Sequence, residues 1–312
     1  MMKPATPDVT VVVPTRNRLP WLKECLACLR SQEAVGVQTI VVDDYSSDGT
    51  WEWLAGLQDS SFTRIRQESN QRQSAARNRG LAIADARMIM FLDDDDLLKP
   101  AALRILSAAL ESQPDSVAAI GRRQDWFTAE GYRRRDIHPP FPVCRGVLRD
   151  LIGSWSAVPS QTLFRTDVAR RIGGYDGSVL PCDDRDFLQK AAMLGPVCFR
   201  PEVVVTYRIT PSQWRPPDIR ELRETVARRA IKSLPKKHRR RALLTRRLVR
   251  LHDEADHHFA GGSIWQGMRS CGSALLVAPH ADLSPLLAAT FVRRLTGRLA
   301  RRILGPSPDA PE

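Results

Sequence analysis

Met88-Ile89-Met90-Phe91-Leu92-Asp93-Asp94-Asp95-Asp96 joins five apolar side chains to four carboxylates with no spacer. A continuous apolar run of this length predicts a strand covered on both faces. Residues 74–86 precede it with a helical pattern, and residues 62–67 alternate weakly as a further strand. Still earlier, Val9 to Pro14 and Gln38 to Val42 are β-branched runs, separated by a helical pattern from Pro20 to Arg30. Ser47, Asp48 and Gly49 form a turn and cap a helix from Thr50 to Leu57. Strand and helix thus alternate from residue 9 to residue 92, which predicts an α/β chain with a doubly wound, mostly parallel sheet.

In such a sheet ligands bind outside the carboxyl ends of the strands. The polar clusters fall there: Thr15 to Asn17, then Asp43 and Asp44, then Asp93 to Asp96. Four adjacent carboxylates repel one another, and a divalent cation would remove that cost. Oxygen ligands suit Mg²⁺ or Mn²⁺, which usually take one or two carboxylates together with substrate phosphates. Alternation at a strand end would turn Asp93 and Asp95 the same way, one to the metal and one to a ribose or sugar.

Beyond the acidic run the pattern predicts an amphipathic helix from Pro100 to Glu111. A strand and helix from Ser160 to Ile172 follow, stopped by Gly173 and Gly174. A helix at Phe187 to Leu194 and a strand at Val203 to Tyr207 come next. After Pro211 the character changes to Arg- and Leu-rich helical stretches, and we place a domain boundary there: residues 1–212 and 213–312. The first part carries 27 Lys and Arg against 26 Asp and Glu, the second 20 against 9. Nearly all of the +12 net charge is therefore in the tail. The run Lys236-Lys237-His238-Arg239-Arg240-Arg241 and the stretch Leu286 to Ile303 read as basic amphipathic helices suited to an anionic membrane surface. No aromatic-interleaved or helix-turn-helix pattern accompanies that charge, so no nucleic-acid partner is expected.

Six scattered cysteines complete no zinc pattern; Cys25 and Cys28 lie in an apolar helical stretch and read as small hydrophobes. His252, His257 and His258 sit among acids and read as an exposed polar helix. No signal peptide is evident, and no stretch approaches the roughly 18–20 apolar residues of a membrane helix. The expected location is cytoplasmic, peripheral on the inner face of the cell membrane.

Four ordered motifs carry a family resemblance. They are Val11-Val12-Val13-Pro14-Thr15-Arg16-Asn17-Arg18, Val41-Val42-Asp43-Asp44-Tyr45-Ser46-Ser47-Asp48-Gly49-Thr50, Ala75-Ala76-Arg77-Asn78-Arg79-Gly80-Leu81 and Phe91 to Asp96. Together they resemble family 2 glycosyltransferases of the GT-A fold. The resemblance implies an inverting, metal-dependent transferase. It would move a sugar from a nucleotide-sugar donor, a UDP-sugar by preference, to a hydroxyl of a glycan or lipid-linked acceptor in polysaccharide or glycolipid synthesis. It puts Pro14, Thr15, Asn17, Asp44, Arg77, Asn78, Asp93 and Asp94 around the donor nucleotide, with Asp44 accepting from the base. Arg77 and Asn78 would lie near the phosphates or brace the acidic loop. Asp95, with Asp93, would hold Mn²⁺ or Mg²⁺.

Ile172-Gly173-Gly174-Tyr175-Asp176 resembles the family's glycine turn, and Cys182-Asp183-Asp184-Arg185-Asp186-Phe187 its Glu-Asp motif. The catalytic base then falls on Asp184, with Asp183 beside it. A carboxylate in a partly desolvated cleft can take a hydroxyl proton near neutral pH; a helix N-cap is the alternative for either residue. Three positions depart from the family pattern: Tyr45 and Arg72 stand where glycine is common, and Thr210 where a His often follows Tyr207-Arg208. A non-catalytic nucleotide-sugar-binding homologue is the alternative those departures raise. A nucleotidyltransferase is a weaker one, since no Gly-rich basic loop follows the first strand.

Overall fold

The structure is a computed structural model; it describes residues 7–33, 35–59, 61–127, 132–134, 157–209 and 219–260, with isolated positions between 263 and 273. Thr210, Cys144, Cys271 and the stretch Leu286 to Ile303 lie outside the described residues, as do the side chains of His252 and His257. The chain divides into two compact units, with the change at Val226/Ala227.

In the first unit, β1 (Val9–Thr15), β2 (Val37–Asp43), β3 (Phe62–Arg66) and β4 (Met88–Phe91) pair in parallel in the order β3-β2-β1-β4. Each apolar run became a strand because helices cover both faces; β1 and β4 are buried along their whole length. The register sets Thr15 opposite Asp43 and Val12 opposite Phe91. The loops after all four strands consequently emerge along one edge. α1 (Leu19–Arg30) turns Leu22, Cys25, Leu26 and Leu29 into the core, so Cys25 packs as the small hydrophobe expected, and α2 (Thr50–Gly56) follows β2.

α3 (Arg72–Ala82) starts two residues before the expected helix and ends four residues short of it. Its contact with the sheet is close: a Cβ on Gly80 would stand 2.3 Å from a Val12 methyl. Only glycine lets the helix lie this near β1. Arg77, one turn earlier, is thereby held against the strand ends.

Beyond β4 the sheet becomes mixed. β8 (Thr162–Arg165) runs antiparallel to β4, β6 (Ala118–Phe127) antiparallel to β8, and β9 (Val197–Ile209) parallel to β6. The short β5 (Leu97–Leu98) pairs antiparallel with β9, and β7 (Tyr132–Arg134) with β6. α4 (Ala102–Ser112) packs its Leu103, Leu106 and Leu110 face into the core. α5 (Thr166–Arg171) ends on Gly173 and Gly174, at φ 82° and 73°, the glycine stop expected. α6 (Asp183–Ala192) begins four residues earlier than its apolar pattern, with Asp183 and Asp184 in its first turn.

α7 (Arg220–Ser233) starts in the first unit, where Val226 packs with Val179 and Cys182. In the second unit Ala227, Ala230 and Ile231 pack with Ala242 of α8 (Lys236–Ala260). No helix among the described residues is long and apolar enough to cross a membrane.

Candidate functional site

The acidic run leaves β4 at once: the strand ends at Phe91, and Asp93 to Asp96 form a turn. Strand alternation therefore does not orient these carboxylates; their partners do. Asp94 is buried with both oxygens engaged, Oδ2 accepting from Thr15 Oγ1 at 2.7 Å and Oδ1 from Arg18 Nη1 at 3.2 Å. Asp95 Oδ2 accepts from the same Arg18 nitrogen at 2.6 Å. Asp96 Oδ1 accepts from the Arg208 backbone at 3.1 Å, and the buried Arg208 guanidinium stacks 4.4 Å over Trp21 and donates to the Asp95 carbonyl. Asp93 Oδ1 accepts from Arg77 Nη2 at 2.6 Å, and its backbone N–H donates to Ser160 Oγ.

The four charges are thus tolerable only partly for the reasons the sequence offers, a cation and a bracing Arg77. Arg18 and Arg77 pair with Asp93, Asp94 and Asp95 from inside the chain, while Arg208, whose guanidinium pairs with Glu24, holds Asp96 through its backbone N–H. Compensation is partial. Burial, eased by Arg18 but reinforced by Asp95, pushes the Asp94 carboxyl up to about 7. Burial likewise raises Asp95, and Asp96 well above the usual range.

Among the described residues three carboxylate oxygens of the run stay open, one of them the buried Asp96 Oδ2. Among the described residues, Asp93 Oδ2 and Asp95 Oδ1 accept no hydrogen bond from another residue. An oxygen pair of this kind fits a hard divalent cation that completes its shell with phosphate and water. No set of three or more His, Cys, Asp or Glu side chains converges among the described residues, so any cation here would depend on substrate oxygens.

Arg77 links this loop to α6. The guanidinium, 2% exposed, reaches Asp93 on one side and Asp183 Oδ2 on the other at 3.2 Å, and lies 4.9 Å over the Tyr175 ring. Burial works against its charge, but Asp93, then Tyr175 and Asp183, outweigh it and hold the proton more firmly than usual. Of the two roles expected for Arg77, this is the brace. Asn78 turns elsewhere: its amide donates to the Tyr175 carbonyl at 2.9 Å and accepts from the Tyr175 N–H at 2.7 Å. A Cβ on Gly174 would stand 2.4 Å from that Asn78 oxygen, so the glycine turn and Asn78 interlock. Beneath them Tyr175 stacks on Phe187 at 4.2 Å, and Phe91 meets both edge-on. This aromatic cluster fixes α6 beside the end of β4.

The two acids of α6 differ. Asp183, 1% exposed, accepts from Ser74 Oγ at 2.8 Å, Arg77 at 3.2 Å and Gln73 at 3.4 Å. Among the described residues Asp184 accepts only the neighbouring Arg185 N–H, at 2.8 Å, and it remains partly exposed. Burial, reinforced by Asp183 and eased by Arg77, raises the Asp184 carboxyl to about 6. Neither is the N-cap, which is Cys182. Asp183 is positioned as a fixed anchor and Asp184 as a carboxylate able to exchange a proton.

At the β1–β2 edge, Asp44 is buried, and its Oδ1 accepts from Gln67 Nε2 at 2.6 Å and the Gln71 N–H at 2.7 Å. Its Oδ2 has no partner among the described residues. Asn17 accepts from the Ser47 N–H at 2.8 Å, and its own N–H donates to Ser46 Oγ at 2.9 Å, so it ties the two loops together. Pro14 and Thr15 end the buried β1. The structure thus gathers Thr15, Asn17, Asp44, Arg77 and Asp93 to Asp95 along one edge, with Asp183 and Asp184 reached through Arg77. The sequence reading gave no role to Arg18, Ser74 or Ser160, and none toward the acidic loop to Arg208. Arg18 and Arg208 stood inside recognised motifs, and for Arg18 its charge was the available signal.

Comparison with known proteins bears on this arrangement. The model of "Glycosyl transferase family 2" matches residues 10–173. An uncharacterized Mycobacterium tuberculosis protein, MT1568, is 29% identical over 221 residues, 67% of this chain and 69% of its own length. The GalNAc(5)-diNAcBac-PP-undecaprenol beta-1,3-glucosyltransferase of Campylobacter jejuni is 35% identical over 103 residues, 32% of this chain and 33% of that protein. In fold, the chain is similar to S. aureus TarS residues 1–349 solved with UDP-GlcNAc. The TM-score is 0.67 at 17% identity, covering 96% of this chain and 93% of TarS 1–349.

Proposed function

The chain belongs to glycosyl transferase family 2, and from that premise we propose that it transfers a sugar, with inversion, from a UDP-sugar to a hydroxyl of a glycan or lipid-linked acceptor. The observation that carries this reading is the Arg77 bridge. One buried guanidinium couples the loop with open oxygens, Asp93 and Asp95, to the helix bearing Asp183 and Asp184.

Asp95 and Asp93 would hold Mn²⁺ or Mg²⁺ together with the donor diphosphate, and the cation supplies charge neutralisation for the departing nucleotide. Asp44 accepts the base N–H through its open Oδ2. Asp184 takes the acceptor proton at its free Oδ2 as the hydroxyl attacks the anomeric carbon from the face opposite the leaving diphosphate. That single displacement inverts configuration. Asp183 keeps Asp184 in place without taking part in proton transfer.

The test is release of UDP from labelled UDP-sugars with Mn²⁺, with and without a sugar acceptor. Transfer or slow donor hydrolysis, abolished by EDTA, supports the enzyme. Donor binding with no turnover under any condition would instead leave a nucleotide-sugar-binding homologue.

Membrane association at the cytoplasmic face is the second part of the reading. On α8 the exposed Lys236, Arg240, Leu243, Arg247 and Arg250 recur every three or four residues and form one basic face. Such a face suits anionic headgroups. Co-sedimentation with phosphatidylglycerol vesicles is expected at low salt and should fall away at about 0.5 M salt, where charges are screened within a few ångströms. Lipid-independent behaviour at both salts overturns it.

A further inference from the structure

α1 grips the acidic turn at both ends, and it does so through two cysteines. Cys25 is buried and Cys28 half-buried, and both are free thiols. Cys25 Sγ donates to the Asp93 carbonyl at 3.9 Å. Cys28 Sγ accepts from the Leu98 N–H at 3.3 Å and donates to the Cys25 carbonyl, one turn back, at 3.0 Å. The two sulfurs are also within hydrogen-bond reach of each other. Asp93 and Leu98 bound the turn that carries Asp94, Asp95 and Asp96. Neighbours on the helix hold the same segment. Glu24 pairs with the Arg208 guanidinium, which donates to the Asp95 carbonyl, and Gln32 donates to the Lys99 carbonyl at 3.0 Å.

Packing alone accounts for Cys25 and not for Cys28, whose sulfur is partly exposed and held in polar contacts. Residues three apart in an α-helix have Cα atoms about 5 Å apart, inside the roughly 4.4–6.8 Å that a disulfide spans. The facing Cys25, with the Leu98 N–H and the charge of Arg208, draws the Cys28 thiol below its ordinary value, against the effect of burial. Cys28 is therefore the sulfur that an oxidant meets first, and Cys25 the one placed to resolve it.

We propose that a hydroperoxide converts Cys25 and Cys28 into a reversible disulfide, and that this bond loosens the acidic turn. The Cys28 thiolate attacks one peroxide oxygen, the O–O bond breaks, and Cys28 becomes a sulfenic acid as hydroxide leaves. The Cys25 sulfur then attacks the Cys28 sulfur. The S–O bond breaks, and the Cys25 proton leaves with the hydroxyl as water. The thiols lose two electrons and the peroxide gains them; a dithiol reverses the bond by exchange. In the disulfide Cys25 has no S–H to donate to the Asp93 carbonyl, and Cys28 Sγ is drawn from the Leu98 N–H towards Cys25. Resting on the cation site proposed above, the change reaches that site because Asp93 carries one of its two oxygens.

Trypsin releases both cysteines in one peptide, Glu24 to Arg30, which reports the bond directly. The full chain, treated with a small excess of hydrogen peroxide and then alkylated, is expected to yield that peptide unalkylated and two hydrogens lighter. Dithiothreitol before alkylation should return both thiols. In the oxidised chain, amide hydrogen exchange across residues 93–98 should be about tenfold faster. Calorimetric titration with Mn²⁺ in the presence of UDP should show about tenfold weaker cation binding, restored by dithiothreitol. Cys28→Ser should keep its exchange rates and cation affinity after peroxide. Two alkylated cysteines in peroxide-treated wild type overturn the disulfide. A disulfide with unchanged exchange, or an equal change in Cys28→Ser, overturns its control of the turn. Reduced wild type that binds no Mn²⁺ overturns the cation reading alone, since the peptide and the exchange rates still decide the bond and the turn.

Discussion

Replacing Asp184 with Asn is expected to lower turnover by about 10²–10⁴-fold while making the protein more stable at neutral pH. The first effect follows from removing the proton acceptor. The second follows from the raised carboxyl. A group with a pKa of about 6 when folded and about 3.9 when unfolded favours folding in its protonated form. Its contribution to stability is complete below the unfolded value and is lost as pH rises through the folded one. At pH 7–8 wild type therefore holds a desolvated charge that Asn does not, and Asn still accepts the Arg185 N–H. Thermal unfolding should show a Tm rise of about 2–4 °C at pH 7.5, shrinking to nothing near pH 4. Loss of both activity and stability would instead make Asp184 a structural residue. Wild-type turnover would remove it from the mechanism.

Asp95→Asn should be comparably severe, with a different signature. Its free Oδ1 and the free Oδ2 of Asp93 are the oxygens of the acidic turn open to a cation, whereas Asp94 is engaged at both by Thr15 and Arg18. Turnover is expected to drop about 10²–10³-fold, and the Mn²⁺ concentration giving half-maximal rate to rise about tenfold or more. Stability should change little, since an amide oxygen can still accept from Arg18 while losing a charge that burial disfavours. A variant with wild-type rate and wild-type response to Mn²⁺ would show that Asp95 holds no cation.

How much of this was legible in the sequence depended on the range of the interaction. The β-branched runs at Val9 to Pro14 and Gln38 to Val42, and the aspartates that end them, place the parallel half of the sheet and its ligand-binding edge. Local chemistry decides such features. The antiparallel half was less legible: the strand of the Ser160 to Ile172 stretch and that at Val203 to Tyr207 were expected, but β5 is two residues long and carries no periodic signal, and nothing local sets the antiparallel order. The start of α6 was missed because its first turn is acidic, and apolar spacing begins only at Phe187.

The partners of the buried carboxylates were the least legible. The Arg208 backbone N–H meets Asp96 across 112 positions, and the Ser74 hydroxyl meets Asp183 across 109; nothing local marks either pair. Reading an acidic run as a need for a metal was sound as far as the repulsion went, but it left out charges brought in by the fold. Tyr45 and Arg72 show the converse. These departures from a glycine pattern are visible in sequence, but only their φ angles, 64° and 68°, show that both keep the left-handed backbone glycine favours.

The pH dependence of kcat/KM for sugar transfer tests most directly whether Asp184 supplies the proton acceptor at this site. The expected profile loses about tenfold per pH unit below about 6, and that limb is absent from the residual activity of Asp184→Asn. A limb near pH 4, where an ordinary carboxylate titrates, or one that survives intact in Asp184→Asn, would contradict the account.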